Sequence, residues 1–247
     1  MDGRFWQIDF ARGIAVILMV AYNWLFALVY LERANFPIHD VPYWLLARLI
    51  AFSFVFLAGI SLSISYARSR KKLNAQALNR KYLLRGLKIF GMGLLITLAT
   101  YLYEPSATIW FGVLHLIGVS ILLAIPMMGL KRKGKAFGIA ALAIGLGVIL
   151  QQSTFDFPYL LWLGLWPTGW NTFDYFPLLP WFGFFLLGII SWKKYFIGRA
   201  GNARPVFNQK SLKVPPLTAP IAFLGRHSLF VYLVHQPILL LMLMLTA

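Results

Sequence analysis

The stretch Asp9-Phe10-Ala11-Arg12-Gly13-Ile14-Ala15-Val16-Ile17-Leu18-Met19-Val20-Ala21-Tyr22-Asn23 decides how this chain is read. It is an apolar run that carries an acid, an arginine and an asparagine. Eleven residues separate Arg12 from Asn23. On a helix that is roughly 16 Å, about half of a ~30 Å hydrocarbon core. Arg12 is therefore expected near one membrane face and Asn23 well towards the other. Polar groups in lipid are costly, so each needs a partner or a task. Asp9 and Arg12 are three residues apart, share a helix face and can pair. A short loop then carries His39, and the next apolar segment contains Arg48. This hairpin is the candidate catalytic centre.

Composition points the same way. Of 247 residues, 60% are hydrophobic and 12% charged, against roughly 25% charged in soluble proteins. Several apolar runs approach or exceed the roughly 18 residues expected of a spanning helix. The expected fold class is all-α: a polytopic membrane protein with about seven transmembrane helices, forming one domain over residues 1–247. The spans are read at about 9–31, 41–66, 84–103, 108–129, 136–152, 174–192 and 228–246. The first run is expected to be retained, since no basic leader precedes it and no small-residue cleavage site follows. The absence of cysteine excludes disulfides, thiol nucleophiles and Cys-ligated metals. A net charge of +16 would suggest nucleic acid in a soluble protein. Here basic residues collected in cytoplasmic loops, facing anionic headgroups, explain it, and no nucleic-acid partner is expected.

The loops set the expected orientation. The segments 67–88, 131–135 and 193–226 contain 19 of the 23 Lys and Arg residues. The alternate connections contain one, Arg33, and hold Glu32, Asp40, Glu104, Asp156 and Asp174, five of the seven acids. By the positive-inside rule the N-terminus is cytoplasmic and the C-terminus outside. The outer connection 153–173 is rich in Trp, Phe, Gly and Pro and too interrupted to span. It is expected at the interface, as a lid or acceptor platform or as an aromatic belt. The inner connection 193–227 reads as loop with some short helix. Gly91, Gly93, Gly145 and Gly147 are expected to permit close helix packing.

Depth sorts the polar residues into two layers. Near the inner face lie Asp9, Arg12, Arg85, Lys88 and His235. Near the outer face lie Asn23, His39, Arg48, His115 and Asp174. For His115 and His235 the alternative is a hydrogen-bonded bridge between two helices, and for Asn23 the role of helix–helix glue. The outer group has no carboxylate pair and no His-x-x-x-His spacing, so hydrolytic or metal chemistry is poorly supported and no metal is expected. A neutral base outside, an amide donor and a cationic inner vestibule suit group transfer from an anionic donor inside to an acceptor outside. Histidine can take a proton from an attacking amine or hydroxyl. Asn or Arg can hold an oxyanion, and the inner cations can hold donor phosphates.

The same residues carry a resemblance. Ile8-Asp9-Phe-Ala-Arg12-Gly13 through Asn23, Phe56-Leu-Ala-Gly59-Ile-Ser, Ile109-Trp-Phe-Gly112-Val-Leu-His115-Leu-Ile-Gly118, Asp174-Tyr-Phe-Pro-Leu-Leu-Pro180-Trp181-Phe-Gly183 and Leu224-Gly-Arg226-His-Ser228 through Pro237 occur in order along the chain. Together they resemble the heparan-α-glucosaminide N-acetyltransferase family of membrane acetyltransferases. The resemblance implies acetyl-CoA as donor substrate on the cytosolic side and an amino sugar or glycan acceptor on the outer side. In lysosomal members an Asn in the first span and a His in the following loop form the active-site pair. Asn23 matches the first, and His39 the second by its place before the Phe-Val-Phe stretch. Many bacterial relatives have His where this chain has Asn23.

The reading that follows is an acyl-CoA-dependent N- or O-acetyltransferase. His39 is the general base, Asn23 positions the acetyl carbonyl, and Arg48 gives further electrostatic support. Asp9, Arg12, Arg85, Lys88, His115 and His235 are the candidate acetyl-CoA residues. The expected location is the inner membrane of a prokaryote, with the lipid bilayer as partner and a homodimer left open. A transporter or flippase for a glycan or lipid-linked substrate is the alternative. A retinal protein is disfavoured, because the last span lacks a Lys for a Schiff base. A structural subunit would tolerate loss of Asn23 and His39.

Overall fold

The computed structural model describes residues 5–38, 40–128, 133–195 and 214–245. These are mostly helical: α1 (Trp6–Tyr30), α2 (Val41–Ser69), α3 (Ala75–Tyr103), α4 (Val113–Met128), α5 (Lys133–Leu150), α6 (Leu178–Tyr195), α7 (Ala219–Arg226) and α8 (Ser228–Leu245). Four of them, α1, α2, α3 and α8, are long and apolar enough to cross a membrane. Three shorter apolar helices lie at Val113–Met128, Gly134–Leu150 and Leu178–Trp192. All seven expected spans thus coincide with apolar helices, and four reach spanning length.

The edges differ from the hydropathy reading for local reasons. Helix α3 begins nine residues before the expected 84. Asn74 caps it, its Oδ1 accepting from the Ala77 N–H at 2.8 Å, and the Lys and Arg residues that follow are good helix formers. Helix α4 begins at Val113, not 108, because Pro105–Ala107 forms a 3₁₀ turn before it. Helix α6 begins at Leu178, not 174. The connection 193–227 contains the short helix α7, with a proline in its first turn.

The described residues fall into two compact units, divided within α2 after Leu57. In the first unit α1 packs on α7 and α8. Gly13 lies against the backbone carbonyl of Ile221, and Gly225 against that of Asp9. Neither position has room for a Cβ, so glycine lets the two backbones meet. Val16, Met19, Ala222, Leu239 and Leu243 are buried in this unit.

In the second unit α3 packs on α4 and α5 on α6. Gly86 faces Leu122, and Gly118 abuts Phe90, where a Cβ would come 2.8 Å from the backbone nitrogen. Gly147 abuts Pro180, and Gly183 meets Ala140 and Ile144. Gly59, from the latter part of α2, rests on the Phe185 carbonyl. Of the four glycines expected to permit close packing, Gly93 and Gly147 do so. Around a Cβ at Gly91 or Gly145 nothing lies within 4 Å among the described residues. At the α2–α3 turn the Tyr82 hydroxyl is bonded to Ser65 at 2.9 Å and donates to Ser69 at 3.2 Å, and Lys81 Nζ donates to Ser69 Oγ at 2.6 Å.

The connection 153–173 folds on itself. Strands β1 (Thr154–Phe155) and β2 (Trp166–Pro167) pair in parallel. Tyr175 packs edge-on to Trp166 and donates its hydroxyl proton to the Leu161 carbonyl at 2.7 Å. Segment 172–176 is laced to 107–111: Phe173 N–H to Ala107 O, Thr172 Oγ1 to Thr108 O and Phe176 N–H to Phe111 O.

Candidate active site

Asn23 lies nearly five turns into α1 and is half-buried. Its Nδ2 donates to the Met19 carbonyl at 2.9 Å. A carbonyl can only accept, so the amide orientation follows from chemistry. One N–H is spent within the helix; the second N–H and Oδ1 have no partner among the described residues. An amide so fixed can donate one directed hydrogen bond.

The residue expected to act with it, His39, lies outside the described residues. Its neighbours form a tight turn before α2: Ile38 N–H bonds Phe36 O at 2.8 Å and Asp40 N–H bonds Pro37 O at 2.9 Å. Ile38 is buried, and the Asp40 carbonyl accepts from the Trp44 N–H. Arg48, one turn further, lies with its guanidinium carbon 5.3 Å from the Trp44 ring centre, a cation–π contact.

At the opposite end of α1, Asp9 is 6% exposed. Spacing along the helix suggested Arg12 as its partner; the ion pair observed is with Arg226, whose Nε lies 3.4 Å from Asp9 Oδ2. The α1–α7 contact explains it, since Gly225 seats directly on Asp9 and brings the next side chain alongside. Arg226 is a residue that sequence reasoning counted only as a loop charge. The available signal was the small residue beside each charge, Arg12-Gly13 and Gly225-Arg226. Arg12 is half-buried on the turn that Gly225 touches. His235, in α8, donates from Nδ1 to the Tyr232 carbonyl at 2.7 Å. That leaves Nε2 as the acceptor nitrogen of a neutral ring.

The remaining candidates belong to the second unit. Arg85 is half-buried and Lys88 exposed on α3. His115, at the start of α4, is 2% exposed. Its Nδ1 accepts from the Gly112 N–H at 3.2 Å, which places the ring proton on Nε2. Nε2 then donates to Thr97 Oγ1 at 3.4 Å, and Thr97 donates onward to the Ile109 carbonyl at 2.6 Å. Phe111 stacks on the ring, Phe90 meets it edge-on, and Gly93 makes room for it. The histidine thus bridges α3 to the start of α4, the alternative its sequence position allowed. Asp174 sits beside Gly112, where a Cβ would come 3.2 Å from its Oδ2.

The first unit therefore gathers Asp9, Arg12, Asn23, Arg48 and His235, and the second holds Arg85, Lys88 and His115. Among the described residues no three His, Asp or Glu side chains come together as metal ligands.

Comparison with curated proteins and with solved structures returns no match. The family model described as heparan-alpha-glucosaminide N-acetyltransferase, catalytic, matches residues 4–237, nearly the whole chain. The blocks holding Asp9, Asn23, His115 and Arg226 all fall inside that match, and the chain belongs to this family.

Proposed function

We propose that this chain is a transmembrane acetyltransferase that moves an acetyl group from cytosolic acetyl-CoA to an amino sugar on the outer side. In this reading seven helices span the membrane, with the N-terminus inside and the C-terminus outside, as the distribution of loop charges supports. The observation that carries the reading is Asn23. It is a mid-helix amide, held by its own helix and with one N–H to spare, in a chain of an acetyltransferase family.

The chemistry follows from the residue types. The acceptor amine attacks the thioester carbonyl while His39 takes a proton from the attacking nitrogen. The spare N–H of Asn23 donates to the carbonyl oxygen as it gains negative charge, and Arg48 adds positive potential nearby. The carbon–sulfur bond breaks, and the coenzyme A thiolate leaves towards the inner side and is protonated there. In the first unit Asp9, Arg12 and His235 serve the donor path; in the second, Arg85 and Lys88 are cations of the kind that hold donor phosphates. His115 fixes the α3–α4 contact, because both its nitrogens are engaged. Direct transfer is preferred to an acetyl-histidine intermediate, since a ternary complex needs only a base.

The test is turnover of labelled acetyl-CoA by the purified chain with a panel of amino sugars. His39→Ala is expected to lower kcat by about 10²- to 10⁴-fold, and Asn23→Ala by about 10²- to 10³-fold. The rate should rise with pH as His39 loses its proton and becomes a base. Normal turnover by folded His39→Ala would remove the base assignment. Label trapped on protein without acceptor would replace direct transfer by an intermediate.

A further inference from the structure

We infer that Arg226 is a phosphate anchor for the acyl donor, aligned for that task by Asp9. The inference deepens the acetyl-CoA reading and rests on it. Arg226 ends α7, and its side chain is 37% exposed while that of Asp9 is 9% exposed. The acid is thus the buried member of the pair and the guanidinium the one that reaches outward. The contact uses Nε, and the guanidinium has no other partner among the described residues. The contact is an ion pair without a hydrogen bond, Asp9 Oδ2 being buried with no donor; a guanidinium whose Nε lies nearest the acid keeps its terminal nitrogens for a second anion, and a planar fork suits phosphate.

The placement of α7 is itself dictated by packing. Gly13 and Gly225 let the α1 and α7 backbones touch. Arg226 is therefore carried on a rigid contact and not on a free loop. Such a contact is poorly explained as a stability device. An ion pair with one half-exposed partner contributes little, whereas a buried carboxylate carries a desolvation cost. Orientation of the cation gives that cost a use.

Helix α1 then acts as a ruler. From Asp9 to Asn23 is fourteen residues, roughly 21 Å of helix, and from Arg12 to Asn23 roughly 16 Å. The phosphopantetheine arm of coenzyme A, from phosphorus to sulfur, has about the length of four to five extended residues, roughly 15 Å. Both distances exceed that length by no more than roughly 6 Å, which the reach of the arginine and asparagine side chains can cover. A phosphate held between them places the thioester near the amide of Asn23. All of these residues lie in one unit of the fold.

Anionic lipid headgroups offer the same phosphate chemistry, so the test separates the two sources. The full chain, in nanodiscs of phosphatidylcholine alone or with phosphatidylglycerol, is titrated calorimetrically with coenzyme A, 4′-phosphopantetheine and pantetheine. Arg226→Gln is expected to weaken coenzyme A and phosphopantetheine about ten- to a hundredfold. Pantetheine, which lacks the phosphate, should bind equally to both proteins, in either lipid. Arg226→Lys keeps the charge and should recover part of the loss; it also controls for folding. Asp9→Asn, acting through Arg226, should weaken coenzyme A and phosphopantetheine severalfold and leave pantetheine binding as it is.

Unaltered coenzyme A binding by Arg226→Gln would overturn the inference and leave the transferase reading standing. So would an equal loss for pantetheine, which would mark a packing role. A loss confined to discs containing phosphatidylglycerol would assign Arg226 to lipid instead. No coenzyme A binding by the unaltered chain would overturn both.

Discussion

At His115 both ring nitrogens are used, one as acceptor from Gly112 and one as donor to Thr97. Nothing remains for a ligand without breaking a helix contact. Replacing it by leucine would leave the Gly112 N–H buried without its acceptor, and a buried unpaired donor costs about 1–3 kcal/mol. His115→Leu should therefore show a lower thermal midpoint, read by intrinsic fluorescence in detergent. A midpoint equal to that of the unaltered chain would mean that the ring is not a bridge. Asp9 teaches the complementary lesson. The residue three positions along its own helix was the obvious partner, yet the ion pair observed comes from the other end of the chain. Helical spacing states which pairs are able to meet. Which pair does meet depends on what packs against the face.

Among the elements, the end of α1 carries a cost that can be removed. Glu32 sits at φ 56°, in the left-handed region. The Arg33 N–H bonds Leu28 O and the Glu32 N–H bonds Val29 O, the paired closure typical of a helix C-terminus with glycine in that place. A side chain there costs about 1–2 kcal/mol. Glu32→Gly should raise stability by about 1 kcal/mol, seen as a higher thermal midpoint; a fall would show that the glutamate side chain holds the turn. The α1–α7 contact is expected to respond oppositely. Gly13→Ala and Gly225→Ala each place a Cβ against backbone atoms that cannot move aside cheaply. Overpacking of this kind costs about 1–3 kcal/mol or more, so both variants should melt earlier. Gly91→Ala should be tolerated, since that position faces open space among the described residues. In sequence, Gly91 and Gly93 looked alike, and so did Gly145 and Gly147. Two residues are about 200° apart on a helix, so one faces a neighbour while the other faces away.

On the scale of the whole molecule, the orientation has a clean assay because the chain contains no cysteine. In sealed cells or right-side-out vesicles, Ser153→Cys should react with an impermeant maleimide added outside. Lys72→Cys should react only after permeabilisation. The reverse pattern would invert the proposed topology and the direction of acetyl transfer with it. Membrane class, helix content and the positions of the seven apolar helices were legible in the sequence. Family membership was legible too, from five short blocks spread along the chain, and the family match covers residues 4–237. The candidate site was legible in part. Asn23, Arg48, Asp9 and Arg12 occupy α1 and the start of α2 as hydropathy implied, while Arg226 passed for a loop charge.

The division has a physical cause. Hydropathy, helix propensity and loop charge are summed along the chain, so the sequence by itself determined a mostly helical membrane protein and its family. Contact partners are not additive along the chain. Asp9 and Arg226 lie 217 residues apart and meet because Gly13 and Gly225 allow two helices to touch. The hydrogen-bond partners of His115 were decided likewise, by Thr97 on a neighbouring helix and by the turn that brings Gly112 under its ring. Tertiary structure settled these points because a buried polar group takes whichever partner packing leaves within reach.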